Sequence, residues 1–224
     1  SDLALQSWEH YQGQIAECDR QIAQLLPGPD DPNDAGGTPA ILTPRKRPGV
    51  NAPDIPQLRS FLAQMCEGRD LTVLPAHTEY SVLQLVSEVG TELDRWPTEK
   101  HFTSWLGLAP GSRQSGKRRG NAKRQRNRAG RLFCVMARSL ARSKDIALGG
   151  FYRRMAARRG GLVANIALAR KLALLFWRVM VKGLDYVEEG LARYEAKVLE
   201  TKQRALRRLA KELGQELVPV AQGT

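Results

Sequence analysis

Hydrophobic residues recur at intervals of three and four along most of the chain, which is the period of an α-helix. No clear run of alternating hydrophobic and polar residues predicts a β-strand. The most hydrophobic stretch, Leu162 to Lys182, has apolar side chains on several faces, which is typical of a helix at the centre of a core. The pattern therefore predicts an all-α fold.

The amino-terminal part of the chain predicts a helix followed by a linker. Within residues 1–26, Trp8, Ile15 and Ile22 are seven residues apart, which predicts a coiled-coil-like helix. This helix packs either on its own domain or on a partner helix as a coiled-coil arm. Residues 27–53 contain seven prolines and four glycines, a composition that neither sustains a helix nor supplies a core, and they predict a linker.

Residues 54–224 predict a helical domain that ends in a long charged helix, starting at about residue 188. Thr78 or Ser81 is a predicted start of an internal helix and Gly90 its end. The turn before it, residues 75–78, fits either a structural hairpin or a phosphate-binding helix-hairpin-helix, and its lack of glycine favours the structural interpretation. The side chains predicted to face inward on the next two helices are Phe102, Trp105, Leu106, Leu132, Phe133, Val135, Met136 and Leu140.

The net charge of +12 is concentrated in one block of the sequence. Between Glu99 and Asp145 there is no acidic residue, whereas the same stretch contains 13 lysines and arginines. Such a block raises the local concentration of phosphate-bearing partners and predicts binding to nucleic acid. The residues that we predict to contact nucleic acid are Arg113, Lys117, Arg118, Arg119, Lys123, Arg124, Arg126, Arg128 and Arg131.

Other kinds of site are weakly indicated. The three cysteines are far apart and the three histidines are isolated, so neither a disulfide framework nor a zinc site is predicted. The acids of residues 79–99 follow helical surface spacing, and we interpret them as solvated rather than as metal ligands. No membrane span or signal peptide is predicted, and we expect a cytoplasmic protein. The sequence starts at Ser1 in helical pattern, from which we expect an upstream part.

Two serines lie within the basic block, at Ser112 and Ser115. A serine can break a phosphodiester if its oxygen reaches the phosphorus in line and nearby cations stabilise the charge of the transition state. Ser115 precedes Gly116 and has several cations close in sequence. The alternative interpretation is that both serines donate hydrogen bonds to phosphates in a binding patch and take part in no bond chemistry.

Residues 86–117, VSEVGTELDRWPTEKHFTSWLGLAPGSRQSGK, have a serial order of motifs that resembles a known family. The motifs SE-[IV]-G, K-x-F-x-x-W-L-G-L-x-P and the serine-glycine step are similar to the carboxy-terminal domain of insertion-sequence transposases that pair a RuvC-like DEDD domain with a catalytic serine, the bridge-RNA-guided recombinases. The later stretches LGGFYRRMAARRG and ARKLALLFWRVM agree with this resemblance, which covers about residues 54–220.

The resemblance implies that Ser115 is the nucleophile and forms a transient phosphoserine link to DNA. It also implies a structured guide RNA, association with the bacterial nucleoid, and an upstream RuvC-like half whose acids bind Mg²⁺. Pairing of the heptad-patterned helices predicts a homo-oligomer. No cofactor or metal is expected within residues 1–224, which should not recombine DNA alone. The chain has Lys117, Ala76 and His77 where the family commonly has glycine. The alternative function is a non-catalytic helical protein that binds DNA or RNA.

Overall fold

The computed structural model describes residues 2–26, 42, 52–110, 114–115, 118–119, 125–143 and 147–217, with backbone alone at 114–115, 118–119 and 188–191. The described residues form eight α-helices, one 3₁₀ turn (Leu71–Val73) and one short two-stranded ladder, which confirms the all-α fold. The elements are α1 (Asp2–Leu25), α2 (Leu58–Met65), α3 (Glu79–Val89), α4 (Glu99–Trp105), β1 (Gln114–Ser115), β2 (Arg118–Arg119), α5 (Arg128–Ala141), α6 (Leu148–Arg159), α7 (Gly161–Lys182) and α8 (Leu184–Glu212).

Helix α7 is the centre of the core, as its hydrophobic sequence predicts. It packs against α4, α5, α6 and α8. Leu168, Leu172 and Phe176 are fully buried on α7. The ring of Phe176 lies 6.2 Å from that of Phe102 on α4 and 5.8 Å from that of Phe133 on α5, centroid to centroid. This aromatic cluster joins the three helices, and burying each ring contributes roughly 1.5–3 kcal/mol.

The turn before α3 belongs to the core. Thr78 caps α3 by accepting a hydrogen bond from the Ser81 amide, Ser81 completes a capping box, and Gly90 ends the helix at φ +76°. His77 is only 5% exposed, and its ring stacks on Phe176 at 6.1 Å. Because its side chain is enclosed by apolar groups, the turn does not present His77 to a phosphate. The geometry supports the structural interpretation of this turn.

Two side chains predicted to face inward are exposed. Val135 is 64% exposed because it lies on the outer face of α5, opposite Phe133 and Met136. Trp105 is 43% exposed because it is the last residue of α4, where one side of its ring packs at a tilt against the buried Trp96, 4.8 Å between centroids. Both predictions were therefore wrong. The helical period is correct in each case, but the buried face is narrower than the apolar pattern.

Two heptad stripes are largely exposed in this chain, the predicted stripe of α1 and a second one on α8, where the sequence places Leu199, Leu206 and Leu213 seven residues apart and thereby predicts pairing with another helix. Trp8 and Ile15 on α1 are 60% and 52% exposed, and Leu206 on α8 is 52% exposed. Only the end of α1 touches the core, through Ile22 and neighbouring residues. The backbone amide of Asp54 also donates a hydrogen bond to Oδ2 of Asp19 on α1 at 3.0 Å. Coiled-coil pairing of these stripes stays a prediction, as does the division at residues 1–26, 27–53 and 54–224.

Two acids of residues 79–99 are paired rather than simply solvated, which corrects the sequence-based interpretation. Glu99 on α4 accepts hydrogen bonds from Nε and Nη2 of Arg178 on α7, at 2.5 and 2.8 Å. Hydrogen bonding by Arg178 lowers the pKa of Glu99, outweighing the opposing effect of burial. Glu88 on α3 pairs with Arg128 on α5 at 3.1 Å. These pairs therefore tie α4 to α7 and α3 to α5.

Candidate nucleic-acid interface

The part of the basic block between α4 and α5, residues 106–127, is what we call the basic segment. It leaves the core at the end of α4 and returns to the same place at the start of α5. The side-chain oxygen of Asn127 caps α5 by accepting a hydrogen bond from the Gly130 amide at 2.8 Å. Its side-chain nitrogen donates to the carbonyl oxygen of Trp105, at the end of α4, at 3.3 Å. One asparagine thereby links both ends of the segment, and we call this contact the α4–α5 junction.

Two glycines allow the backbones to approach closely at the junction. A Cβ atom at Gly130 would lie 2.1 Å from the carbonyl oxygen of Leu106. A Cβ atom at Gly107, where φ is +72°, would lie 2.9 Å from the carbonyl oxygen of Gln125. Both distances are shorter than any that a side chain tolerates without movement of the backbone. The close approach of the backbones therefore requires glycine at both positions.

Between the two ends of the segment lies the antiparallel ladder of β1 and β2. Ser115 is the register partner of Arg118, and Gln114 is the partner of Arg119. This pairing is absent from the sequence-based expectations, because strands of two residues are too short to show alternation. Among the predicted site residues, Arg113, Lys117, Lys123 and Arg124 lie outside the described residues, as does Ser112. The side chains of Ser115, Arg118 and Arg119 are not described either, and their roles stay predictions.

Helix α5 presents arginines on the side opposite its buried face. Phe133 and Met136 face the core, whereas the arginines of the outer face are exposed. These exposed residues are Arg128, Arg131, Arg138 and Arg142. Of the predicted site residues, Arg128 and Arg131 thus lie on one helix face, and Arg126 lies half-buried just before it. The part of this face formed by Arg131, Arg138 and Arg142 is what we call the α5 arginine face.

Helix α6 packs against α5 and adds further cations. Arg153, Arg154, Arg158 and Arg159 are exposed on it, and the last two lie in its final turn. The guanidinium of Arg153 donates to the carbonyl oxygen of Ser143, beyond the end of α5, at 3.0 Å. Cations in a last helical turn are favoured by the helix dipole, so the second pair has a local structural reason as well. The arrangement is suited to a phosphate backbone.

Trp105 is a candidate contact for nucleic acid, although the sequence pattern predicted that its side chain faces the core. Its exposed indole packs on the buried ring of Trp96, and the guanidinium carbon of Arg95 lies 4.0 Å from the Trp96 ring centroid and 5.7 Å from that of Trp105. An exposed aromatic ring beside a cation can stack on an unpaired base. Its position as the last residue of α4, two residues before Gly107, is the sequence signal for such exposure.

The buried side chains of His77 and Cys66 belong to the core. Burial lowers the pKa of His77 to about 4, although the carbonyl oxygen of Pro75, 2.9 Å from Nδ1, acts in the opposite direction. Burial raises the pKa of the Cys66 thiol to about 11, and the cysteines of the described residues are free. Within the described ranges, no group of three or more His, Cys, Asp or Glu residues could hold a metal ion. None of the helices described is long and apolar enough to span a membrane.

Comparison with known proteins gives one similarity. Residues 69–153 match the model of the transposase IS116/IS110/IS902 family. The matched stretch is less than half of the chain, and it contains α3, α4, both strands, α5 and the first half of α6. No curated protein and no solved structure matches the chain. The similarity thus includes the basic segment, the α4–α5 junction and the α5 arginine face, and it supports a transposase function.

Proposed function

We propose that the chain is the carboxy-terminal part of a DNA transposase in which Ser115 attacks the DNA backbone. The observation that carries this proposal is the register of the β1–β2 ladder, in which Ser115 is opposite Arg118. Residues opposite each other in an antiparallel pair are neighbours in general, so Arg118 is the cation whose role beside Ser115 should be tested. The similarity of residues 69–153 to a transposase family supports the reaction class.

The proposed reaction exchanges one phosphodiester for another. The serine oxygen loses its proton and bonds to phosphorus, while the bond from phosphorus to a deoxyribose oxygen breaks and that oxygen takes up a proton. The product is a phosphoserine link, which a deoxyribose hydroxyl of another strand can attack in the reverse sense. Arginine suits the charge of the transition state, because its guanidinium stays protonated and offers several donors to phosphate oxygens.

The α5 arginine face is the proposed binding surface for the DNA backbone. A phosphate contact releases counterions, so affinity should fall with salt in proportion to the number of contacts. The family resemblance adds a structured guide RNA and a location at the nucleoid to the proposal, and the heptad stripes of α1 and α8 add pairing into a homo-oligomer. The Mg²⁺ of that proposal belongs to a RuvC-like half, and no residue of this chain is assigned to it.

The test of the nucleophile uses the protein joined to its RuvC-like half and a nicked DNA substrate. Ser115→Ala removes one oxygen and no charge, so we expect the covalent protein–DNA adduct and strand exchange to disappear while DNA affinity persists. Ser112→Ala is the matched control, because it makes the same change three residues earlier, and it should retain the adduct. An adduct that persists in Ser115→Ala would show that the serine is assigned wrongly.

The second candidate function is non-catalytic binding of DNA or RNA by a helical protein, which the exposed arginines of α5 and α6 also fit. Replacement of Lys117, Arg118 and Arg119 together by alanine should reduce the slope of the logarithm of DNA affinity against the logarithm of salt concentration by about 2 to 3. Both functions share this result. Adduct formation separates them, since binding alone needs no nucleophile.

A further inference from the structure

A pocket between α7 and the start of α8 lies apart from every residue assigned to the proposed site. Its volume is about 500 Å³, within the range of roughly 300–1,000 Å³ that small-molecule sites occupy. Three cations reach its wall, namely Lys171, Arg178 and Arg193. Tyr186 and Tyr194 contribute aromatic rings, and the remaining lining is apolar, from leucines of α6 and α7 and from Val187 of α8.

Lys171 is the central cation of this pocket. Its ammonium lies 4.7 Å from the ring centroid of Phe151 and 5.1 Å from that of Tyr194. Among the described residues, the ion pairs do not include Lys171, so its charge faces aromatic rings instead of a carboxylate. Burial, together with the charge of Arg178, lowers the pKa of Lys171. A half-buried cation in this setting would be stabilised by an anion that enters the pocket.

The rest of the wall also favours an anion. Arg178 donates to the carboxylate of Glu99 through Nε and Nη2, so the charges of these two residues offset each other. No carboxylate is among the described side chains that line the cavity. Since the lining is positive and partly apolar, it does not suit a cation or a neutral sugar. It suits an anionic group attached to a flat or apolar body.

We propose that this pocket binds a single nucleotide, with its phosphate at Lys171 and its base against the tyrosine rings. A nucleotide combines the two features that the lining selects, because its phosphate accepts hydrogen bonds from ammonium and guanidinium groups and its base stacks on aromatic side chains. The nucleotide is either free or one residue of a nucleic-acid strand. This inference does not depend on Ser115 and stands or falls separately from the proposed transposase chemistry.

The test is calorimetric titration of the 224-residue chain with deoxyadenosine 5′-monophosphate at about 0.1 M salt. We expect one saturable site, with binding at least about tenfold weaker for deoxyadenosine, which lacks the phosphate. Lys171→Met keeps the aliphatic stem and removes the charge, so it should weaken binding by about tenfold or more, and Lys171→Arg should restore it. Lys202→Met, the same change at an exposed site on α8, should leave binding within about twofold.

A short single-stranded oligonucleotide distinguishes the two sources of the nucleotide. If it binds more tightly than the mononucleotide and loses affinity in Lys171→Met, the pocket holds a residue of a strand; if the mononucleotide alone binds, the ligand is free. Protection of Lys171 from amine acetylation by the mononucleotide, or by the oligonucleotide if that alone binds, measured by mass spectrometry on the parent chain, replaces the variant should it fail to fold. The proposal is overturned if neither ligand gives saturable binding up to about 5 mM, or if Lys171→Met and Lys202→Met behave alike.

Discussion

Gly130→Ala tests whether the α4–α5 junction holds the basic segment on the core. The added methyl group would lie 2.1 Å from the carbonyl oxygen of Leu106, about 1.3 Å closer than the 3.4 Å at which ordinary contact begins. That oxygen belongs to the backbone and cannot rotate away. The methyl group would also lie 3.2 Å from the side-chain oxygen of Asn127, which caps α5. The substitution therefore separates α5 from α4 and disturbs the cap.

The expected loss of stability follows from three contributions. Overpacking against a fixed atom costs about 3 kcal/mol, and the disturbed cap costs about 1 kcal/mol. Alanine returns about 1 kcal/mol because it favours a helix over glycine. The free energy of unfolding should therefore fall by about 3 kcal/mol, which corresponds to a decrease in Tm of about 6–12 °C for a chain of this size.

Thermal and urea unfolding of the parent and the variant measure this loss. Gly150→Ala is the matched control, because Gly150 is also the third residue of a helix and its nearest neighbour is the movable guanidinium of Arg154, at 3.2 Å. The control should stay within about 1 kcal/mol of the parent. If Gly130→Ala is as stable as Gly150→Ala, the close approach of α4 and α5 is not required and the reasoning about the junction is wrong.

Three further predictions address other contacts. In the parent, His77 in the unfolded state binds a proton at higher pH than it does in the folded state, so stability should fall by up to about 1.4 kcal/mol per pH unit as the pH falls from 6.5 towards about 4. His77→Phe should remove this pH dependence. Asp70→Asn should lower the free energy of unfolding in urea by about 3 kcal/mol, because it breaks the ion pair of Asp70 with Arg59, whose side chains are only 14% and 13% exposed. Ile15→Asp and Leu206→Asp should reduce self-association in size-exclusion chromatography without lowering the Tm of the dissociated chain by more than about 2 °C.

The first two of these predictions have a control variant, and all three have a contradicting outcome. His10→Phe, at an exposed position, should keep the parent's pH profile, and a profile unchanged in His77→Phe would contradict the first. Asp94→Asn should stay within about 0.5 kcal/mol because Asp94 is exposed, and an equal effect at Asp70 would contradict the second. The third fails if Ile15→Asp and Leu206→Asp leave the elution volume unchanged.

The positions of the helices could be predicted because their signals are local. Thr78 and Gly90 bound α3, Thr98 caps α4 and Asn127 caps α5, and each acts within a few residues of its own helix end. The buried face of α7 follows from its composition. Helix α8 begins at Leu184, earlier than the predicted residue 188, because the chain turns at Gly183 with φ +88°. The hydrophobic pattern gave no sign of that start.

Contacts between distant parts of the chain could not be predicted. Arg178 and Glu99 are 79 residues apart, and no local spacing signals that they meet. The exposure of Trp105 depends on where Trp96 lies, and the register of Ser115 depends on pairing within a very short ladder. The candidate serine and the basic block were recognisable from the sequence, whereas their attachment to the core was not.

The attachment to the core matters because the two proposed tasks, DNA binding by the α5 arginine face and attack on phosphorus by Ser115, have different geometric needs. Backbone phosphates can be held by arginines anywhere on a broad face, and the α5 arginine face lies on a long helix packed against α7. A serine oxygen must meet one phosphorus in line, and a displacement of about 1 Å can cost a hundredfold in rate. Gly130→Ala should shift α5 relative to α4 at the base of the ladder, but it removes none of the exposed arginines of α5. If the proposed reaction is correct, this variant should lose far more strand exchange than DNA affinity, whereas a purely binding protein would show only the loss of stability.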